Sequence, residues 1–182
     1  NDAANVIAAF VSGSVPKFIE ELNVYLKDLG CRNTNFNNPH GLHHPEHVTT
    51  AYDLALITKE SLKNPFFRKV VSSLKYTKGK TNKQNSTGFF QSNRLLKRGK
   101  YYYPKAIGVK AGYTIITKHT FIAAAEDNGR ELICVLLKNK KAKDNYLDAI
   151  NLFEHGFKEE KKEKLLFTKG KQEKLILDLT AF

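Results

Sequence analysis

The dipeptide Asn128-Gly129 lies between two apolar, β-prone runs, residues 119–125 and 131–137, and this arrangement limits the possible folds more than any other feature of the chain. A two-residue type I′ connection between antiparallel strands needs positive φ at both positions, and Asn-Gly supplies that at little steric cost. The pattern therefore predicts a hairpin. Residues 101–114, which contain Ala106-Ile107-Gly108-Val109-Lys110-Ala111-Gly112-Tyr113-Thr114, read as the approach to a further strand.

Upstream the period changes. Val6, Ile7, Phe10 and Val11 fall on one helical face behind Asn1 or Asp2 as a cap. After the break Ser12-Gly13-Ser14, residues Val15, Phe18, Ile19, Leu22, Leu26 and Leu29 recur at three- and four-residue steps until Gly30, which predicts a second amphipathic helix. Residues 31–47 are rich in Asn, Pro and His and hold Phe36 and Leu42, as an ordered loop would. Thr50-Ala51-Tyr52-Asp53 forms a capping box for a helix through Leu62, and Pro65 opens a short helix bearing Phe66, Phe67, Val70 and Val71. Residues 75–100 are polar and basic, suggesting extended segments joined by an exposed loop around residues 78–88. Tyr146, Leu147, Ile150 and Phe153 mark a later helix, residues 143–155, closed by Gly156. At the end, Leu175, Leu177 and Leu179 alternate behind Lys169-Gly170-Lys171, as in the first turn and strand of a small β element. The expected fold class is mixed α/β (α+β), an antiparallel sheet flanked by helices.

A chain of 182 residues with 41% hydrophobic content can fill one core. No apolar run reaches the roughly 18 residues of a membrane helix, and Asn1 opens a helix-like stretch without a signal-peptide layout, so the natural start is expected upstream. The +12 net charge is unevenly spread: residues 59–118 hold 15 basic residues against one acid, Glu60, an excess larger than that of the whole chain. Such a face suits nucleic acid, an anionic membrane surface or an anionic polymer such as cell wall. Tyr76, Phe89, Phe90 and Tyr101-Tyr102-Tyr103 could stack on bases, but strand positions more commonly serve packing, and no nucleic-acid partner is expected. Cys31 and Cys134 are too few for a disulfide framework and read as unpaired buried thiols.

Three motifs could carry chemistry. His43-His44-Pro45-Glu46-His47, next to His40, satisfies the H-x-x-E-H pattern of zinc proteases, which requires both end histidines on one helix. Pro45 prevents that, because it pushes His44 out of the helical region; structural loop histidines and no metal are expected. Ser14-Val15-Pro16-Lys17 and Ser72-Ser73-Leu74-Lys75 match S-x-x-K, in which a neutral lysine one turn on takes a serine proton. Ser14 instead reads as a helix cap, and Ser72 as a helix end in a basic, exposed region. Lys110-Ala111-Gly112-Tyr113-Thr114 places a cation beside backbone that a ligand can approach closely, which suits an anionic group laid against a strand.

Taken together, these segments resemble the serine D-alanyl-D-alanine carboxypeptidases, the low-molecular-mass penicillin-binding proteins. Asn1-Asp2-Ala3-Ala4-Asn5 resembles the end of an S-x-N motif and the residues just beyond it. Asn37-Asn38-Pro39-His40-Gly41-Leu42 with Thr50-Ala51-Tyr52-Asp53-Leu54-Ala55 resembles the family's loop-and-helix segment. Ile107-Gly108-Val109-Lys110-Ala111-Gly112-Tyr113-Thr114 resembles its K-T-G strand, and residues 151–157 the helix that closes its catalytic domain.

The resemblance implies a transpeptidase fold of the β-lactamase and DD-peptidase kind with its N-terminal part missing, residues 1–157 being the C-terminal part of the catalytic domain and residues 158–182 the start of a β-rich domain. It also implies an extracytoplasmic, periplasmic or envelope enzyme that trims peptidoglycan stem peptides through an acyl-enzyme, is inhibited by β-lactams and uses no cofactor. Its S-x-x-K nucleophile would lie upstream of Asn1, leaving this chain inactive alone and dependent on the missing N-terminal segment. Asn1 and Lys110 would be catalytic, with Lys110, Ala111, Gly112 and Tyr113 binding substrate. Lys110 would hold the terminal carboxylate, and the Tyr113 N–H would be one oxyanion donor. Ala111 stands where the family has threonine, which predicts weakened substrate binding. The alternative is a catalytically dead relative that only binds peptidoglycan or an anionic polymer.

Overall fold

The computed structural model describes residues 1–159, together with the backbone of two short strands, β6 (Phe167–Thr168) and β7 (Lys171–Gln172), which pair antiparallel. Lys169 and Gly170, and the alternation of Leu175, Leu177 and Leu179, lie outside the described residues.

Four helices come first: α1 (Asp2–Ser12), α2 (Val15–Asp28), α3 (Ala51–Leu62) and α4 (Pro65–Ser72). Gly13 adopts φ 83° between α1 and α2, a left-handed conformation suited to glycine. Ser14 then caps α2, its hydroxyl oxygen accepting the Lys17 N–H at 3.3 Å. The expected apolar face of α1 is not the buried one. Val6, Ile7, Phe10 and Val11 are exposed, while Ala8 and Ser12 are buried, and the Ser12 hydroxyl donates to Glu21 of α2 at 2.5 Å.

Thr50 caps α3 as expected, accepting the Asp53 N–H at 3.1 Å. Asp53 does not complete a reciprocal box. Its carboxylate, fully buried, accepts the Asn33 N–H at 2.9 Å and the Thr34 hydroxyl at 2.7 Å, so it holds the 31–49 loop onto the helix. Its carbonyl also lies 3.7 Å from the Cys31 thiol. Both cysteines are free and buried, and burial pushes the Cys134 thiol up to about 12.

The sheet runs in chain order, β3 (Ala106–Thr114), β4 (Lys118–Asp127) and β5 (Arg130–Asn139), all antiparallel. Asn128 (φ 49°) and Gly129 (φ 75°) both take positive φ, as the hairpin reading requires. Small central residues of β4 allow cover on both faces. On one side Ala123 and Ala125, with Phe121 and Cys134, meet Tyr146, Ala149 and Phe153 of α5 (Ala142–Lys158). On the other, Ala124 meets Leu62 of α3 and Val109, with Phe67 and Val71 of α4 packed alongside. Arg68 of α4 reaches across to Glu131 of β5. The result is a three-layer arrangement of α5, sheet, and α3 with α4.

Three further differences have local causes. Gly156 lies inside α5 rather than closing it; a Cβ there would sit 2.9 Å from Leu132 Cδ1, so its smallness lets the helix close on β5. Strand β3 begins only at Ala106, because Tyr101 and Tyr103 turn into the core against Tyr146 and Phe153. The separate hairpin of β1 (Lys75–Lys78) and β2 (Thr87–Phe90) leaves Tyr76, Phe89 and Phe90 exposed, contrary to the packing expected of strand aromatics.

Candidate active site

Among the described residues, strand β3 is an outer strand, paired with β4 alone in its sheet. Two glycines shape it. A Cβ on Gly108 would fall 2.8 Å from Val71 Cγ2, so glycine lets α4 seat on the strand. A Cβ on Gly112 would fall 2.7 Å from the Oγ1 of Thr120, its register partner on β4. Between them Lys110 projects into solvent, its ammonium turned back to donate to the Ala111 carbonyl. Ala111 lies opposite Phe121, with its methyl against the α5-side core. Tyr113 is exposed and leans on the His119 ring, with centroids 4.5 Å apart.

The electrostatic surroundings are one-sided. Residues 61–125 contain no Asp or Glu, so β3 carries no carboxylate of its own to compete for Lys110. An anion arriving at this edge would meet the Lys110 cation on a strand that itself bears no negative charge.

Asn1 stands at the cap position of α1, exposed, with its side chain unused in capping; its carbonyl accepts the Ala4 and Asn5 N–H groups at 3.0 and 3.2 Å. Lys110, Ala111, Gly112 and Tyr113 are thus consecutive on one strand, while Asn1 sits on a different element. No hydrogen bond joins Asn1 to Lys110 among the described residues. His119 and Thr120 are neighbours of this strand that the sequence did not single out. Finding them requires the β3–β4 register, and the connecting Ile115, Ile116 and Thr117 carry none of the turn residues that would fix it.

The other motifs take structural roles. Residues 43–47 form no helix. His40, His44 and His47 each accept a backbone N–H through Nδ1, from Leu42, Glu46 and Asn37 at 3.2, 3.2 and 3.0 Å. His47 also stacks on Phe36, and burial, with the neighbouring histidines, holds its pKa below the usual imidazole value. Lys17 pairs with Glu21 at 3.7 Å, away from the capping Ser14 hydroxyl. Ser72 ends α4 and donates to Lys69, whereas Lys75 already belongs to β1.

Residues 1–141 match the sequence model of the D-alanyl-D-alanine carboxypeptidase family. Among curated proteins, the D-alanyl-D-alanine carboxypeptidase DacF of Bacillus subtilis is 33% identical over 158 residues, 86% of this chain and 39% of that protein. DacA of Haemophilus influenzae is 30% identical over 159 residues, with 86% and 38% covered. A D-alanyl-D-alanine carboxypeptidase structure from Mycobacterium tuberculosis superimposes with a TM-score of 0.75 at 29% identity, over 86% of this chain and 58% of that one. The Streptomyces K15 DD-transpeptidase gives 0.72 at 29% identity, over 78% and 54%. The chain belongs to the D-alanyl-D-alanine carboxypeptidase family. It spans about two fifths of the length of these curated relatives. Among the described residues, no helix is long and apolar enough to cross a membrane.

Proposed function

We infer that, within its intact protein, this chain supplies part of the active site of an extracytoplasmic serine-type carboxypeptidase that removes the terminal D-alanine of peptidoglycan stem peptides and is acylated by β-lactams. Residues 1–157 belong to its catalytic domain, and residues 158–182 open a β-rich domain. The observation that carries this reading is Lys110, exposed on an outer strand inside a stretch without acids. An extended peptide laid along that edge can hydrogen-bond to its backbone while Lys110 takes the terminal carboxylate.

The serine of an S-x-x-K motif upstream of Asn1 attacks the carbonyl of the D-Ala-D-Ala bond. Its proton passes to the lysine of that motif and on to the amine of the departing D-alanine. Water then hydrolyses the acyl ester and restores the serine. Asn1 hydrogen-bonds the substrate backbone, and the Tyr113 N–H meets the carbonyl oxygen as its charge develops, a contribution of about 3 kcal/mol for a donor of this kind. The 182 residues alone are inactive.

Fluorescent penicillin tests this on two samples, the present chain and the product of its source gene with upstream sequence restored. Label on the longer form only is expected. Label on the short chain would return Ser14 and Ser72 to consideration. Ala111 favours a second reading, a relative that binds peptidoglycan without cleaving it. In that case neither sample takes label, while purified sacculi still retain the protein saturably.

A further inference from the structure

The β1–β2 hairpin leaves its apolar side chains largely exposed. Tyr76, Phe89 and Phe90 are 66%, 56% and 70% exposed, and Leu74 at its root is exposed as well. The register sets Tyr76 opposite Phe89 and Lys75 opposite Phe90, so each face of the ribbon carries aromatic surface. The Lys75 ammonium lies 5.5 Å from the Phe90 ring centre. Lys78, Lys80 and Lys83 continue toward the tip, and the segment has no acid. Among the described residues, no hairpin lysine pairs with a carboxylate; Lys78 donates to the side-chain carbonyl of Gln84. The root is nonetheless anchored, since the Gln91 N–H donates to the Leu74 carbonyl at 2.9 Å and the Gln91 side chain to the Val71 carbonyl at 3.0 Å.

We propose that this hairpin is a docking element for the surface of an anionic phospholipid bilayer. Two signals meet in it. Lysines are drawn to anionic headgroups, and aromatic rings settle at the boundary between headgroups and acyl chains. Either alone gives weak, reversible attachment, whereas together they retain a protein at the interface. A wall polymer whose negative charge sits on phosphate or carboxylate groups would be held chiefly by the lysines, whereas the bilayer boundary engages lysines and rings together. Bases of a nucleic acid would find one of the best ring faces, that of Phe90, already occupied by Lys75. Among the described residues the two outer edges of the ribbon are unpaired, which fixes the depth: it lies among hydrated headgroups and does not enter the hydrocarbon, where free N–H groups would go unsatisfied.

The chain has no tryptophan, so one introduced tryptophan reports its own surroundings. The full 182-residue chain carrying Phe89→Trp is mixed with phosphatidylcholine vesicles with and without phosphatidylglycerol. Emission is expected to shift to the blue only on the anionic vesicles, while Tyr102→Trp, away from the hairpin strands, does not shift. In co-sedimentation, Lys78→Gln/Lys80→Gln/Lys83→Gln lowers partitioning on the order of a hundredfold, and Phe89→Ser/Phe90→Ser lowers it roughly tenfold. Unchanged thermal melting confirms that these exposed changes leave the fold intact. The proposal is overturned if Phe89→Trp does not shift, or if the lysines matter and the aromatics do not, which would mean an anionic polymer held by charge. It is equally overturned if an oligonucleotide, not vesicles, depends on Phe89 and Phe90, or if the protein with upstream sequence restored no longer partitions. None of these results depends on penicillin labelling, so this proposal and the carboxypeptidase reading fail separately.

Discussion

The Tyr103 hydroxyl donates to Glu154 Oε1 at 2.7 Å, joining the approach to β3 to helix α5 across 51 positions of chain. Lys105 completes the group, with its ammonium 2.9 Å from Asp127 and 3.2 Å from Glu154. Burial first, then the Glu154 carboxylate, pushes the Tyr103 phenol from 10.0 up to about 12. The folded state therefore holds this proton more tightly than the unfolded state. Its contribution to stability is complete below pH 10 and is lost as pH rises through about 12. Urea unfolding of Tyr103→Phe should show a loss of about 1 kcal/mol at neutral pH and a flatter alkaline limb than the parent.

Glu154 acts at the other extreme. The Tyr103 hydrogen bond, and after it Lys105, holds its carboxyl below the usual value. That contribution is present above the ordinary carboxylate range and disappears as pH falls through the lowered value. Acid unfolding of Glu154→Gln should begin from a lower plateau and depend less on pH between those limits.

Asp53 joins the 31–49 loop to α3 through one buried carboxylate. Asp53→Ala leaves the Asn33 N–H and the Thr34 hydroxyl without this acceptor and should cost about 2–4 kcal/mol in chemical unfolding. Asp53→Asn keeps one acceptor oxygen and should cost less. Equal losses would mean that the charged carboxylate itself holds the loop, since Asn fills the same space and still offers an acceptor oxygen.

Gly112 and Thr120 are coupled by proximity across β3 and β4. Gly112→Ala should destabilise by about 1–3 kcal/mol, because its methyl meets the Thr120 oxygen. In a Thr120→Ala background most of that cost should vanish, and a double-mutant cycle on urea melts reads the difference. Strict additivity would place the strain elsewhere.

Two changes on β3 test the proposed chemistry, both in the protein with upstream sequence restored. Lys110→Ala should lower kcat/KM for a D-Ala-D-Ala peptide roughly 10- to 100-fold, the worth of one charge-assisted hydrogen bond. Ala111→Thr should raise turnover of the same peptide. An unchanged rate would show that a hydroxyl at this position does nothing.

Legibility in the sequence followed how local each determinant was. Asn128-Gly129, Ser14 and Thr50 act on residues two or three away, and each appears in the role its type suggests. Gly156 and Asp53 look like local signals too, yet they answer to Leu132 and to Asn33 with Thr34, partners distant in sequence. The periodic faces were legible as faces, but periodicity does not say what covers them, and Val6, Phe10, Tyr76 and Phe90 are all exposed. For the candidate site, the run Lys110-Ala111-Gly112-Tyr113 was visible as consecutive letters. Its neighbours His119 and Thr120 depended on a register that only the folded sheet defines.

Strands β3, β4 and β5 are neighbours in space in the order in which they leave the ribosome. Only short turns must close to bring them together, so little chain entropy opposes each step, and pairing can proceed from the Asn128-Gly129 turn outward. The strand that displays Lys110 joins through the Ile115 to Thr117 connection and needs no distant segment to find its register.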